Sequence, residues 1–343
     1  MAVDDAPAVS LVIRVHNAEA FLAEAINSVL SQTMTRFELI AVDDGSSDAT
    51  PEILSGYASR DARVRVHRQR NLGAAASGNV GAGLARAPYV ANLDADDIAT
   101  SGRLEAQLRF LEQNPGVGAV GGGATHMSAA GVPFYDEYFP LTDAEIRREL
   151  VHTFPASHSA LTFRKEVFDR VGGYRVQFPA AHDLDLLLRV SERSSLANLG
   201  ELMTAYRFHS GQISVQKLEL QALCAVAARA SARHRSAGAP DPFEDIVRVD
   251  EQAVLAAGGT EAEISASFVR SAAWLASTMA LAGYGTHADE LFASALARAR
   301  SRSGSGVLVG AVHREQARIL RKQGHPVRAR LQLVAAVAAE RSC

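Results

Sequence analysis

Short apolar runs alternate with helix-period segments through the first two hundred residues. Residues 9–13 read as a strand, and within 20–30 Phe21, Leu22, Ala25 and Val29 recur at helical spacing. Residues 37–42 predict a second strand, closed by Asp43-Asp44-Gly45-Ser46, and Ser47 or Asp48 is placed to cap a helix through Ser55. A strand at 64–67 follows, then Asn71-Leu72-Gly73 and an Ala/Gly-rich helix to Arg86. Next come a strand at 89–93, a helix at 103–112 and a strand at 117–120. Repeated βα units of this kind predict an α/β fold with a mainly parallel, doubly wound, Rossmann-like sheet.

The middle of the chain is mixed. The pattern predicts a helix at 143–151, a strand at 159–164, a helical turn at 165–171 and a break at Gly172-Gly173-Tyr174. An amphipathic helix at 182–191 carries Leu186, Leu187 and Val190, and a last strand spans 202–208. Beyond Val215 an Ala-rich helical pattern takes over, interrupted by Gly238-Ala239-Pro240-Asp241-Pro242 and by Gly258-Gly259. We expect an α/β domain over 1–215, a helical linker over 216–242 and an all-α domain over 243–343. In the last of these, Gly283, Ala288, Phe292 and Ala295 recur as Gly324, Ala329, Leu333 and Ala336. That recurrence suggests stacked helix pairs of tetratricopeptide type. An ordinary helical bundle satisfies it equally.

Composition narrows the functional classes. Of 343 residues 48% are hydrophobic and 21% charged, which suffices for a sizeable core. A net charge of -3 gives nucleic-acid binding no support. Cys224 and Cys343 fit no metal spacing, and a reduced, cytoplasmic protein is expected. There is no leader-like opening and no apolar run long enough to span a bilayer, so the sequence predicts a soluble protein, compatible with peripheral membrane contact.

Against this background the run Asn92-Leu93-Asp94-Ala95-Asp96-Asp97 stands out. It lies at a predicted strand end, where open α/β sheets bind ligands. Clustered carboxylates repel one another and call for a cation. Asp-x-Asp oxygens suit Mg²⁺ or Mn²⁺ shared with substrate phosphates. A solvated turn has the same composition, so the surrounding motifs decide.

Those motifs are Val12-Ile13-Arg14-Val15-His16-Asn17-Ala18-Glu19, Ser28-Val29-Leu30-Ser31-Gln32-Thr33, residues 37–48 ending Asp43-Asp44-Gly45-Ser46-Ser47-Asp48, Arg70-Asn71-Leu72-Gly73 and Leu93-Asp94-Ala95-Asp96-Asp97. In order and spacing they resemble glycosyltransferase family 2 over residues 8–210. The resemblance implies a GT-A fold and inverting transfer of a sugar from a nucleotide-diphosphate donor to a hydroxyl acceptor, with Mn²⁺ or Mg²⁺ as cofactor.

The resemblance also assigns roles. Asp96 is the direct metal ligand. Asp94 faces the ribose or the metal's water shell, Ala95 lies between them on the nucleotide side, and Asp97 supports the turn. Asp44 accepts the imide N–H of uracil, which favours UDP. His16, Asn17 and Glu19 follow the first strand, with Asn17 placed to cap the first helix and Glu19 to face the base. Arg14 stands where the family commonly carries Pro or Thr; it is expected to touch the base or to pair with Asp44. Gly73 allows backbone approach beside the diphosphate and Asn79 orients that loop, although local packing would use both equally. Gly121-Gly122-Gly123 is not placed as a phosphate loop.

On the acceptor side, His182-Asp183-Leu184-Asp185 resembles the family's Glu-Asp-x-Asp segment, with His182 in place of Glu. Asp183 matches the base that takes the acceptor's proton, in a first helical turn where the helix dipole favours a carboxylate. Asp185 lies about 200° further round an ideal helix and is expected to hold a structural partner. The stretch Phe154-Pro155-Ala156-Ser157-His158-Ser159 resembles the border of the acceptor site. Tyr206-Arg207-Phe208-His209 resembles the closing motif, with His209 directed at the metal or diphosphate.

Two other readings share such a sheet. A non-catalytic nucleotide-binding scaffold, recruiting a partner through the helical tail, has no use for the full carboxylate set. A nucleotidyltransferase-like or dinucleotide-binding enzyme needs a glycine fingerprint where Arg14-Val15-His16-Asn17 stands. The acceptor is left open among glycans, lipids, peptides and small molecules. The tail, with Arg314, Arg318, Arg321, Arg328 and Arg330, is a candidate homodimer or partner surface, or simply a solvated helix face.

Overall fold

The computed structural model describes residues 6–209, 211–212, 216–300 and 306–322, with the single positions 330, 332, 335 and 336. Two compact units divide the chain. The first runs up to Met127 and includes Tyr135–Arg207; the second comprises Ser128–Phe134 and the residues from Phe208 onward.

The first unit begins with three βα repeats. These are β1 (Val9–Val15), α1 (Leu22–Leu30), β2 (Phe37–Asp44), α2 (Thr50–Ala58), β3 (Val64–Gln69) and α3 (Ala74–Leu84), followed by β4 (Tyr89–Asp94). Along the chain then come β5 (Ile98–Ala99), α4 (Arg103–Gln113), β6 (Val117–Ser128), β7 (Pro133–Glu137), α5 (Asp143–Leu150), β8 (Thr162–Arg164), α6 (Lys165–Arg170), α7 (His182–Ser191) and β9 (Ser195–Phe208). The sheet order is β3-β2-β1-β4-β8-β6-β9-β5, with β7 on β6. The four strands of the βα repeats pair in parallel, whereas β8 runs antiparallel to both β4 and β6, and β5 antiparallel to β9.

The apolar run of the second strand reflects burial on both faces, as in covered parallel sheets. Every residue of β2 is buried, including its terminal pair Asp43 and Asp44. Leu11, Ile13, Leu22, Ile26 and Leu39 form the centre of the packing between β1, β2 and α1.

β6 runs on to Ser128, well past its predicted end, through Gly121-Gly122-Gly123. A Cβ on Gly121 would lie 2.2 Å from Asn198 Oδ1, and one on Gly122 2.3 Å from Met203 Cγ. The glycines therefore admit close neighbours to the middle of a strand, and no loop opens there.

The second unit carries α8 (Leu218–Ser236), α9 (Glu251–Ala256), α10 (Glu261–Leu281), α11 (Gly285–Arg300) and α12 (Gly306–Lys322). α10 packs against α8, α11 and α12. Thr260 and Glu263 form a capping box at its start. Ala288, Phe292 and Ala295 are buried on one face of α11. Gly324, Ala329 and Leu333 of the second proposed repeat lie outside the described residues, as do Arg328, the side chain of Arg321, and Cys343. Arg318 Nε donates to Glu315 Oε2 at 2.9 Å. Among the described residues no helix is long and apolar enough to cross a membrane.

Candidate active site

β1, β2 and β4 end along the same edge of the parallel sheet, and their last residues assemble the site. Register places Arg14 of β1 directly beside Asp94 of β4, with Val42 of β2 on the other side. Side-by-side residues of adjacent strands share a face, so the guanidinium meets Asp94. The Arg14–Asp44 pairing considered from the sequence is not formed: Asp44 stands two residues further along β2.

Arg14 is a hub. Its Nη2 donates to Asp94 Oδ1 and to His158 Nδ1 (2.9 Å), and its Nη1 to His182 Nε2 at 3.0 Å. A guanidinium only donates, so both imidazole nitrogens facing it must accept. This assigns the His158 ring proton to Nε2, which donates to the Tyr174 hydroxyl at 2.9 Å. Asn92 Nδ2 donates to the same hydroxyl at 3.0 Å. Burial pushes the Asp94 carboxyl up, but the charge of Arg14 and the contact with His158 outweigh it and hold the group well below the usual carboxylate range.

The rest of the acidic turn is fastened from below. Asp97 is fully buried; Oδ1 accepts the Arg207 backbone N–H at 2.8 Å and Oδ2 accepts the Ser159 hydroxyl. Arg207 Nε also donates to the Asp96 carbonyl at 2.9 Å. Buried Arg103 donates through Nη2 to the Asn92 carbonyl at 2.7 Å. Burial lowers its pKa to about 9, opposed by the charges of Asp97 and Asp94. Burial likewise raises the Asp97 carboxyl well above its ordinary value, and Asp96 and Asp94 add to that rise. Asp97 thus supports the turn, while Asp96 is a partly exposed carboxylate on it.

On the nucleotide side, Asp44 is 4% exposed and closes a loop rather than standing open. Its Oδ1 accepts Gln69 Nε2 (2.7 Å) and the Leu72 N–H (2.8 Å), and its Oδ2 accepts the Gly73 N–H at 2.8 Å. Burial raises its pKa, but these bonds outweigh burial and the group stays below its ordinary value. The Ser77 hydroxyl is a further hydrogen-bonding neighbour of this carboxylate, so its acceptor positions, about four in all, are largely used within the loop. Gly73 adopts φ +89°, and a Cβ there would meet nothing within 4 Å. The residue is therefore glycine because of its backbone conformation, and its side faces open space.

One sequence expectation is corrected here, and for Asn79 the local-packing alternative holds. Asn17 does not cap the first helix, which starts at Leu22. At φ 50° it instead ties to the loop after β2, donating its N–H to Ser46 Oγ (2.9 Å) and accepting the Ser47 N–H (2.8 Å). Glu19 Oε2 accepts the Ala49 N–H at 2.8 Å, which fixes its carboxylate on that same loop. Asn79 spends both ends of its amide on the backbone of Tyr174, at 2.7 Å each, and so holds Tyr174 rather than a phosphate loop. His16 Nδ1 donates to the Asp44 carbonyl at 3.0 Å and is exposed.

α7 brings in the acceptor-side residues. Ala181 precedes it in the left-handed region at φ 49°. Asp183 Oδ1 accepts the Leu184 N–H at 2.8 Å, and the side chain is half-buried near Arg14. Asp185 points the other way and is 0% exposed; Arg175 and Arg189 both bind it. His182 is pushed down to about 4 by burial and by the charge of Arg14, against the pull of Asp183. An unfolded histidine takes up its proton at about pH 6.5. Stability present at neutral pH is therefore lost as pH falls from about 6.5 towards 4. His182→Gln should flatten that fall in urea unfolding measured across the window. An unchanged slope would mean that the loss originates elsewhere.

His209 belongs to the second unit, where its backbone N–H donates to Gln212 Oε1 at 3.2 Å. Two side chains of the cluster were missed as functional candidates. Tyr174 was read only as a helix break, and Arg103 as an ordinary helix residue. The glycine pair before Tyr174 was its signal; Arg103 has none in the sequence, because its partner carbonyl becomes visible only in the fold.

Among the described residues no three His, Cys, Asp or Glu side chains are grouped to hold a metal. A divalent ion that takes one or two carboxylates from the protein and the rest from substrate phosphates does not require such a group. The donor chemistry fits that case. Asp96 offers hard oxygen atoms at the site's edge, next to the Asp97 carboxyl that burial and the charges of Asp96 and Asp94 raise.

Comparison with known proteins follows from this geometry. Residues 10–172 match the family model described as glycosyl transferase family 2. An uncharacterized glycosyltransferase of Haemophilus influenzae is 28% identical over 221 residues, 62% of this chain and 68% of its own length. The uncharacterized glycosyltransferase EpsJ of Bacillus subtilis is 33% identical over 182 residues, and the match covers 48% of this chain and 50% of that protein. Chondroitin synthase of Escherichia coli is 26% identical over 216 residues, with only 31% of its length covered. Thus the chain spans about half, or less, of the length of the latter two relatives. Among solved structures, S. aureus TarS 1-349 in complex with UDP superposes with a TM-score of 0.53 at 16% identity, over 97% of this chain and 90% of that one. A mannosyltransferase from Pyrobaculum calidifontis in complex with GDP-Man and Mn²⁺ gives 0.54 at 16%, over 98% and 87%. At such identity the likeness is one of fold.

Proposed function

Because the chain belongs to glycosyltransferase family 2, we propose that it transfers a sugar from a nucleotide-diphosphate donor, UDP-linked by preference, to an acceptor hydroxyl with inversion. The observation that carries this reading is the Arg14 hub. One guanidinium joins Asp94 of the acidic turn to His182, the neighbour of Asp183, so the carboxylates this reading assigns to donor and acceptor lie about a single cation. The nucleotide complexes of the two similar folds support the donor class.

In this reading Asp44 keeps the Gln69–Gly73 loop closed beside the base and shares one of its oxygens with an imide N–H. Asp94 orients the ribose, and Gly73 leaves room beside the diphosphate. Asp96 would hold a Mn²⁺ or Mg²⁺, whose charge would stabilise the departing diphosphate. Asp183 takes the proton from the acceptor hydroxyl as that oxygen attacks the anomeric carbon. His158 and His182 border the acceptor, and the helical second unit serves acceptor or partner contact.

A donor screen by thermal shift tests the reading. A nucleotide at a hundred times its dissociation constant stabilises the folded state by about 2.7 kcal/mol. UDP with Mn²⁺ should raise the melting temperature, and GDP with Mn²⁺ should do so less. If no nucleoside diphosphate shifts it with either Mn²⁺ or Mg²⁺, the assignment fails.

A further inference from the structure

We propose that the helical second unit binds a phosphate-bearing group on Arg229, Arg233 and Arg270, along the seam where α10 packs against α8. The proposal goes beyond the donor site and does not depend on it.

Of the chain's 35 Lys and Arg and 38 Asp and Glu, 16 and 12 fall in the second unit, which is therefore net positive in a chain that is net negative. Part of that excess gathers on one seam. Arg229 and Arg233 stand one turn apart on α8, a spacing at which like charges destabilise a helix. Arg233 Nη1 lies 3.2 Å from Glu263 Oε1 of α10. Arg270 stands two turns further along α10 than Glu263, on the same stripe of the helix. Glu263 is already shared: its Oε2 accepts the Thr260 N–H at 2.9 Å in the capping box. Burial and then the charges of Arg270 and Arg233 push the half-buried Arg229 guanidinium down to about 10, against the pull of Glu263. Burial lowers Arg270 as well, and among the described residues Arg270 makes no ion pair.

Room for a ligand adjoins the seam. A cleft of about 370 Å³ opens at Arg233, lined by Arg233, His234, Ala237, Ala239, Ala257 and Gly258. The carbonyl ends of α8 and α9 lie here, and open helix ends of that polarity oppose an anion. They are not left open. The N–H groups of Ala237, Gly238 and Ala239 turn back onto α8, and those of Ala257, Gly258 and Gly259 onto α9. His234 Nε2 donates to the Ala257 carbonyl at 3.1 Å. What the cleft presents to a ligand is therefore dominated by guanidinium charge. Guanidinium forks bind phosphate oxygens in pairs, and a phosphate supplies the negative charge that one shared carboxylate does not give three arginines. Lipid headgroups and soluble phosphates share this chemistry, and the test separates them.

The test uses the full chain with excess UDP, so that the donor site does not compete for the probe. Inorganic phosphate is titrated by calorimetry. Arg270→Gln should weaken it by about tenfold, the size of one hydrogen bond to a charged group. Arg109→Gln removes the same charge from the exposed side of α4 and should change the affinity by less than about twofold. Without phosphate, Arg270→Gln should melt about 1 °C or more above the wild type, because it relieves repulsion along the seam. An arginine kept for packing would give the opposite sign. Sedimentation with vesicles of phosphatidylglycerol in phosphatidylcholine then assigns the source. Vesicle binding that Arg270→Gln removes identifies a lipid headgroup, and phosphate binding without vesicle binding identifies a soluble phosphate; both support the site. Equal phosphate affinity in Arg270→Gln and Arg109→Gln, or a lower melting temperature for Arg270→Gln, overturns the proposal. So does a chain that binds neither phosphate nor vesicles. The donor reading stands or falls separately, on the nucleotide shift.

Discussion

Asp183→Asn is expected to bind a nucleotide-diphosphate donor as the wild type does and to lose transfer by a factor of about 10² to 10⁴, the usual size of a general-base contribution. The change keeps the side chain's shape. Its Oδ1 can still accept the Leu184 N–H, so the first turn of α7 should stay as it is. What disappears is the oxygen basicity that takes the acceptor's proton. Nucleotide affinity by calorimetry separates this from damage to the donor site, and it should stay within about threefold because Asp183 lies on the acceptor side of Arg14. Transfer, read as nucleotide release with a competent acceptor, should fall with kcat rather than KM. A variant that transfers at the wild-type rate would move the base elsewhere, and His182 would be the next residue to test.

The parallel half of the fold was legible because β1, β2 and β4 are largely buried on both faces and its helices on one. The two periods differ enough that residues 9–84 divide cleanly into strand and helix. The acidic turn stood out only beside the linked motifs around it, since three carboxylates within four residues make a solvated turn equally well. The partners of these residues were not legible. Arg14 pairs with Asp94, eighty positions away, because β1 lies between β2 and β4 and register sets it beside residue 94. Nothing along the chain states which neighbour wins. Asn17 and Glu19, which follow the first strand, and Asn79, in the middle of α3, illustrate the same limit: each is claimed by a backbone group that only the fold brings near. The glycine run of β6 was invisible as strand for a related reason. Its lack of side chains removes the periodic signal, and the neighbours that fill the space come from β9.

Asp185→Ala is expected to cost stability rather than chemistry, in contrast to its neighbour two residues earlier. Asp185 is fully buried, and its carboxylate accepts Arg175 Nε at 3.0 Å and Arg189 Nη2 at 2.7 Å. Arg189 in turn donates to the carbonyls of Val171 (2.5 Å) and Gly173 (2.7 Å), so the pair anchors α7 to the turn that carries Tyr174. Removing one partner of a buried ionic network leaves uncompensated charge, typically at about 3–5 kcal/mol. For a unit of this size that corresponds to a fall in melting temperature on the order of 10 °C. The loss should be read by thermal and urea unfolding, beside Asp183→Asn, which should unfold close to the wild type. The effect reaches the active site only indirectly: α7 sets where Asp183 stands, and the Val171–Tyr174 turn sets the wall around Arg14. Below its unfolding temperature the variant should therefore bind UDP more weakly as well as unfold earlier. If Asp185→Ala melts within a degree or two of the wild type, the two arginines find other partners, and α7 is held in place by its apolar face of Leu184, Leu187 and Leu188.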